Sequence, residues 1–306
     1  MEEWLMNDRS DTADSWPPIP LEGWKDTYAT LHLYTQIVGK VRLALAPPVN
    51  HWWHVPLYVG SRGLTTSAIP HGRGRFEILF DFVSHVLRIE TSGGALEILP
   101  LGPKAVADFY TEVLSALRSL GIDASIWRMP VEIPNPIPFD EDRQHASYDA
   151  GQVQRFWSAL LRMTPVFEEF RGLFIGKASP VHFFWGGFDL SVSRFSGRRA
   201  PERPGADHMT RETFSHEVFE AGFWPGGNGV DASFYAYAAP EPDGFSGSSV
   251  RPGAAYYHAG LKEFLLPYEE VRKSASPRKA LREFLQTTYE SAANLAKWDR
   301  AALERA

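Results

Sequence analysis

The residues best suited to chemistry lie in Pro180-Val181-His182-Phe183-Phe184-Trp185-Gly186-Gly187-Phe188-Asp189-Leu190-Ser191-Val192-Ser193. Two runs of strand-forming residues flank a Gly-Gly pair, the short-range signal of a β-hairpin whose turn takes positive φ. With Gly186 and Gly187 as the turn, Trp185 pairs with Phe188, Phe184 with Asp189, Phe183 with Leu190 and His182 with Ser191. One face then collects Val181, Phe183, Trp185, Phe188, Leu190 and Val192. The other collects His182, Phe184, Asp189, Ser191 and Ser193. A single strand through both glycines would mix the two sets. The hairpin sets an imidazole diagonally opposite a carboxylate, which suits a general base with its orienting acid, or two metal ligands. A His–Asp hydrogen bond inside a two-layer sheet accounts for the same pair without chemistry. Phe184 beside them points to a half-enclosed pocket.

Weaker constellations follow. Asp140-Glu141-Asp142 with His145, Tyr148 and Asp149 offers oxygen ligands for a hard cation, and His145 suits a transition metal. A solvated acidic loop ahead of a helix explains the same acids. His216 and Glu220 are neighbours on one face of a helix, as metal-ligand pairs are, and lose that pairing on a strand. Arg194, Arg198, Arg199 and Arg203 crowd a Gly- and Pro-rich loop after the hairpin, with Arg198 and Arg199 the candidates to grip an anionic substrate. Glu202 and Asp207 can neutralise them internally. Tyr235 and Tyr237 share a strand face and, with Phe184, can line an aromatic pocket. His32, Gln36 and Lys40 form a polar helical stripe, read as a solvated edge. Phosphate loops, dinucleotide fingerprints and serine elbows are absent.

Composition narrows the classes. The 306 residues suffice for one large or two modest domains. With no cysteine, disulfides, thiolate zinc sites, iron–sulfur clusters and a cysteine nucleophile are excluded, so any divalent metal must be held by His and carboxylate. A net charge of −6 without a long basic run argues against nucleic acid. No apolar run reaches membrane-spanning length, and the acidic start lacks a secretory core. A soluble, cytoplasmic protein without membrane contact is expected. Ten Trp, 11 Tyr and 20 Phe suit aromatic cores and also a concave, aromatic-lined pocket.

The elements that must position these residues read in order. Residues 1–23 form a polar, then Pro-rich tail that packs late or not at all. A unit over 24–129 runs helix (24–45), strands at 51–59, 76–82, 86–91 and 95–99, a helix from Pro103 to Gly121, and a strand at 124–129. A proline-stiffened acidic connector spans 130–149. A second unit over 150–306 opens on a helix capped by Asp149, with a kink or break at Pro165. The hairpin follows, then strands at 232–238, 254–258 and 263–266, and a closing helix with Ser276 as cap. The fold class is α+β, antiparallel sheets packed against helices, arranged as two similar helix–meander–helix halves that can share one core.

Several strings carry a resemblance over nearly the whole chain. They are Thr30-Leu31-His32-Leu33, Gln36-Ile37-Val38-Gly39-Lys40, Asn50-His51-Trp52-Trp53-His54-Val55-Pro56, Pro138-Phe139-Asp140-Glu141-Asp142, Pro180-Val181-His182-Phe183-Phe184-Trp185, Arg194-Phe195-Ser196-Gly197-Arg198, Gly222-Phe223-Trp224-Pro225-Gly226 and Tyr235-Ala236-Tyr237-Ala238-Ala239-Pro240-Glu241-Pro242. In these the chain resembles a family of bacterial proteins known as a domain of unknown function. The resemblance implies a family and no activity. From the residues themselves, the expectation is a small-molecule enzyme using His182 and Asp189 for acid–base or metal chemistry, with His145 and His216 as further candidates. Asp142 and His145 join His182 and Asp189 as the metal-ligand set. A non-catalytic metabolite-binding module and a partner-binding structural protein are the alternatives.

Overall fold

A computed structural model describes residues 16–227 and 229–305. Helix α1 (Lys25–Leu45) follows Trp24 and ends where Pro47 and Pro48 preclude another turn. The strands β1 (Tyr58–Gly60), β2 (Gly63–Thr65), β3 (Ile69–His71), β4 (Gly74–Asp81), β5 (Val86–Thr91) and β6 (Leu96–Pro100) make an antiparallel sheet ordered β1-β2-β4-β5-β6, with β3 also on β4. Alternation drives it: Phe76, Ile78 and Phe80 of β4 are fully buried while Arg75 and Glu77 face out. Helix α2 (Val106–Ser119) lays Phe109 against Tyr34 of α1, ring centroids 3.8 Å apart.

The second half opens on α3 (Ala150–Gly172), capped by Asp149, whose Oδ1 accepts from Gln152 N at 2.9 Å. The six strands β7 (His182–Phe184), β8 (Asp189–Arg199), β9 (His216–Gly227), β10 (Val230–Ala239), β11 (Tyr256–His258) and β12 (Glu263–Pro267) form a second antiparallel sheet ordered β11-β12-β10-β9-β8-β7. Short α4 (His208–Thr213) and α5 (Tyr268–Arg272) punctuate it; α6 (Pro277–Leu295) and α7 (Arg300–Leu303) close the described chain. The fold is α+β, with both sheets packed against helices. No helix among the described residues is long and apolar enough to cross a membrane.

Both units share one hydrophobic core, from Trp16 through the first sheet to Trp298. The sheets are tied where Leu57 and Phe183 exchange both backbone hydrogen bonds at 2.9 Å, joining the approach to β1 to β7. On the second sheet, Leu190, Val192, Phe219, Phe223, Phe234 and Phe264 bury one face against α3 and α6, through ring contacts such as Phe170–Phe219 and Phe219–Tyr289. The other face is left for the cavity described below.

Several local expectations are corrected. Residues 51–59 are not one strand: Asn50–Trp52 is a 3-10 turn with His51 and Trp52 at φ 57° and 61°. Residues 124–129 are irregular, Pro103 precedes α2, and α3 runs unbroken through Pro165. Of the supposed tail, residues 1–15 lie outside the described residues, but Trp16 and Ile19 are buried and Pro17 O accepts from Tyr268. Aromatic burial outweighs the loop-like composition of Trp16-Pro17-Pro18-Ile19-Pro20.

Gly39 fixes how closely the halves approach. A Cβ there would stand 2.2 Å from the indole of Trp185, which lies against α1 and donates to Val55 O at 2.8 Å. Gly39→Ala should therefore lower stability by about 1–3 kcal/mol through overpacking. Gly172→Ala, with nothing within 4 Å of its Cβ at the end of α3, serves as the control and should be neutral or slightly stabilising. Urea unfolding of both variants checks the contrast.

Candidate functional site

Between the free face of the second sheet, α1 and the connector lies a cavity of about 1160 Å³. Its size suits a metabolite. Strand alternation aims Asp189 and Ser193 of β8, Glu220 and Trp224 of β9, Tyr235 and Tyr237 of β10 and Glu263 of β12 into it. Trp52, Trp53, Trp127, Phe184 and Trp185 supply much of the remaining wall, and Glu132 of the connector adds a fourth carboxyl.

The polar groups form a layer across three strands. Tyr235 donates to Asp189 Oδ2 at 2.5 Å, although β9 lies between their strands. Gly222 makes this possible: it pairs with both Tyr235 and Ser191, and a Cβ on it would sit 2.3 Å from the Tyr235 hydroxyl. Glu220 accepts from Ser191 at 2.7 Å and from Ser193 at 3.2 Å. Tyr237 stacks beside Tyr235, centroids 6.3 Å apart, and also bonds Glu220. Burial, reinforced by Glu220 and Glu132, pushes the Asp189 carboxyl up to about 8 despite the Tyr235 bond. Burial likewise raises Glu220 and Glu132, and takes Glu263 to about 7. Among the described residues, none of the four has a cationic partner.

The opposite wall is α1, and its polar stripe is buried, contrary to the solvated edge expected. His32 donates to Gly186 O at 2.7 Å, Gln36 clamps Val131 through both N and O at 2.9 and 2.8 Å, and Lys40 Nζ donates to Met129 O at 2.8 Å. Burial lowers His32 to about 4 and Lys40 to about 8. The stripe thus fastens connector and hairpin turn to the helix.

The hairpin pairs in the expected register, with His182 opposite Ser191, Phe183 opposite Leu190 and Phe184 opposite Asp189. Its turn differs. Positive φ falls on Phe188, at 57°, and on neither glycine. Phe188 is held there by Tyr28, His32, Phe156 and Phe183, with centroids 5.0–5.2 Å away. The glycines serve close approach instead: a Cβ on Gly186 would lie 2.3 Å from Glu132 Oε1, and one on Gly187 2.8 Å from Asp189 Oδ1.

A family model described as "Family of unknown function (DUF5996)" matches residues 16–305. The chain belongs to that family. Neither the curated proteins nor the solved structures contain a match to it. What this member of DUF5996 can do must therefore be read from the cavity.

The cavity gathers Asp189, Tyr235, Tyr237, Phe184 and His145, and leaves out the other candidates. His182 makes no pair with Asp189. It turns away among Trp53, Tyr58 and Phe184, its Nε2 buried without a partner among the described residues, and burial lowers it to about 3. His216 sits on a strand beside His51, so the helical pairing with Glu220 does not arise. Arg198 is held outside by Glu217 and by Ala296 O and Lys297 O; Arg199 does not line the cavity either. The buried Arg194 stacks on Phe170 and Tyr289 and donates to Phe170 O. No group of three or more His, Asp and Glu among the described residues is arranged to hold a metal ion. Asp142 instead orients His145, accepting from its Nδ1 at 2.7 Å and from the Gln144 and His145 amides.

Sequence reasoning passed over Glu132, Glu263, Lys40 and Trp224 as site residues and weighed Glu220 only as a helical partner of His216. Glu220-x-Gly222-x-Trp224 and Tyr235-x-Tyr237 carried a signal, polar or aromatic residues alternating with buried ones around a strand glycine.

Two outcomes test these assignments. Asp189 binds its proton more tightly folded than unfolded, so its contribution to stability fades as pH rises from about 4 through 8. Asp189→Asn should flatten that alkaline fall and raise Tm above pH 7 by a few degrees, read by thermal melts across pH. His182 behaves oppositely: its lowered value destabilises the fold as pH drops from 6.5 toward 3. His182→Phe should move acid unfolding to lower pH while leaving the cavity's ligand binding intact, as circular dichroism and calorimetry would record.

Proposed function

We propose that this protein binds a small organic cation, an amine with a flat or apolar body, in the cavity of its second sheet. The observation that carries this reading is the set of four carboxyl groups, Glu132, Asp189, Glu220 and Glu263, sharing one aromatic cavity without a cationic partner. Burying carboxyls is costly unless something compensates, and a bound ammonium would supply the missing charge. Trp53, Trp185, Trp224 and the two tyrosines add faces over which such a cation is attracted. The arginine loop does not line this cavity, so the anionic grip expected of it plays no part in this reading.

A second reading makes the same site catalytic. Its support is His145: with Nδ1 held by the buried Asp142, Nε2 is the nitrogen left to accept a proton at the cavity wall. The ligand would then be a substrate, and His145→Gln would end turnover while leaving binding unchanged.

Calorimetry with tryptamine and its alcohol analogue tryptophol tests the proposal. Tryptamine should bind and tryptophol should not, and binding between pH 6 and 8 should release a proton. The sign follows from linkage: the ammonium favours the carboxylates, and Asp189 at about 8 and Glu263 at about 7 are partly protonated beforehand. Glu220→Gln should weaken tryptamine roughly tenfold or more. Equal binding of amine and alcohol, or no proton release, would overturn the reading.

A further inference from the structure

Lys40 is a cation in the same cavity that the amine reading leaves unused. It is 4% exposed, lines the cavity, and lies 4.6 Å from the Trp127 ring centroid. Its one hydrogen bond goes to a neutral acceptor, Met129 O. A buried ammonium ordinarily has a carboxylate beside it. Among the described residues, no carboxylate acts on Lys40 and no lysine acts on the four carboxyls. The cavity therefore has two separate poles of opposite sign.

Helix α1 sets their spacing. Tyr28 stands at the acidic pole, within the field of Asp189 and bonded to Trp224. Lys40 is twelve residues beyond Tyr28 and eight beyond His32, which bonds the Gly186 turn that Glu132 approaches, axial rises of about 18 and 12 Å. The lysine stem and the inward reach of the acidic side chains shorten that span, and the wall between them is aromatic, with Trp185 lying 6.0 Å from Lys40 Nζ. An α-amino acid, whose ammonium and carboxylate sit on one carbon, cannot reach both poles through those groups.

Resting on the amine reading, we infer that the ligand is bipolar, an ammonium at one end for the acidic face and a carboxylate at the other for Lys40, joined by an extended apolar or aromatic body. A short peptide and an ω-amino acid share that chemistry.

Calorimetry on the full chain with ω-aminooctanoate, octylamine, α-aminooctanoate and ω-aminobutanoate tests this. The long ω-amino acid should bind roughly tenfold or more tighter than octylamine, the worth of a charge-assisted bond in a buried site. Its α-isomer and the short homologue should show no such gain. Lys40→Met should cut ω-aminooctanoate binding to the level of octylamine and leave octylamine within about twofold, a change well below one charged contact. The comparison among ligands on unaltered protein stands even where the variant fails to fold. Equal binding of octylamine and ω-aminooctanoate would overturn the bipolar ligand and leave the amine reading intact. Failure of octylamine and ω-aminooctanoate alike would overturn both.

Discussion

The buried polar stripe of α1 is the constraint on which the rest of the structure depends. Residues 30–42 of that helix are buried throughout, including His32, Gln36 and Lys40. Polar groups in such a place cost about 1–3 kcal/mol each when unpaired. Their partners come from outside the helix: the hairpin turn offers Gly186 O, the residue just before the connector offers Met129 O, and the connector offers both backbone groups of Val131. Helix, turn and connector are thus stable only together, and together they make the wall of the cavity. The same connector serves α2, whose first amides lack a side-chain cap and donate to Asp142 O and His145 O at 3.0 Å. Stiffened by proline and closed at both ends by backbone hydrogen bonds, it is a structural partition rather than a linker.

With the wall in place, the sheet face opposite it carries a burden that folding alone would not select. Asp189, Glu220 and Glu263 sit where burial opposes their ionisation, and Glu132 is brought to them by the connector. The hydroxyls of Ser191, Ser193, Tyr235 and Tyr237 limit that cost without removing it. Four carboxyls held above their ordinary range in one void are a destabilised arrangement, of the kind that persists where binding makes use of it. The glycines fit this view. Gly186, Gly187 and Gly222 let Glu132, Asp189 and Tyr235 come closer than any side chain would permit.

Legibility followed the range of the interactions. Local signals sufficed for the hairpin register, for β4, β5, β6, β10, β11 and β12, for the cap at Asp149 and for the inward face of α6, because alternation and helical spacing act within a few residues, but not for β2, β3 or β9. The turn at Phe188 was missed because its positive φ is imposed by Tyr28, His32 and Phe156, from elements remote in sequence. His182 illustrates the limit at the site. Its place on the hairpin's polar face was readable, but β7 is an edge strand whose neighbour Phe183 pairs with Leu57, and the aromatic segment 52–58 encloses that end. The cavity opens instead over β8, β9, β10 and β12, so the face kept Asp189 and lost the imidazole. Glu220, Glu263 and Lys40 each look like ordinary surface charges in isolation. Only the meeting of three distant segments gives them a common neighbour.

That meeting explains how one sheet can have a helix-packed side and a ligand-sized side at once. In a sheet covered by helices on both faces, strands read as continuous apolar runs. Here the central parts of β8 to β10 alternate, with Leu190, Val192, Phe219, Phe223 and Phe234 toward the helices and Asp189, Ser193, Glu220, Tyr235 and Tyr237 toward the cavity. The covering layer on the second side is α1, which belongs to the first unit and is itself anchored by Tyr34 on Phe109 of α2. Gly39 admits Trp185, the polar stripe is taken up by the turn and the adjoining segment, and α1 reaches the sheet at the hairpin end and through the Tyr28–Trp224 bond. The void is the space between a helix fixed by the first unit and a sheet fixed by the second. Its lining comes from α1 and the connector on one side and from the second sheet on the other.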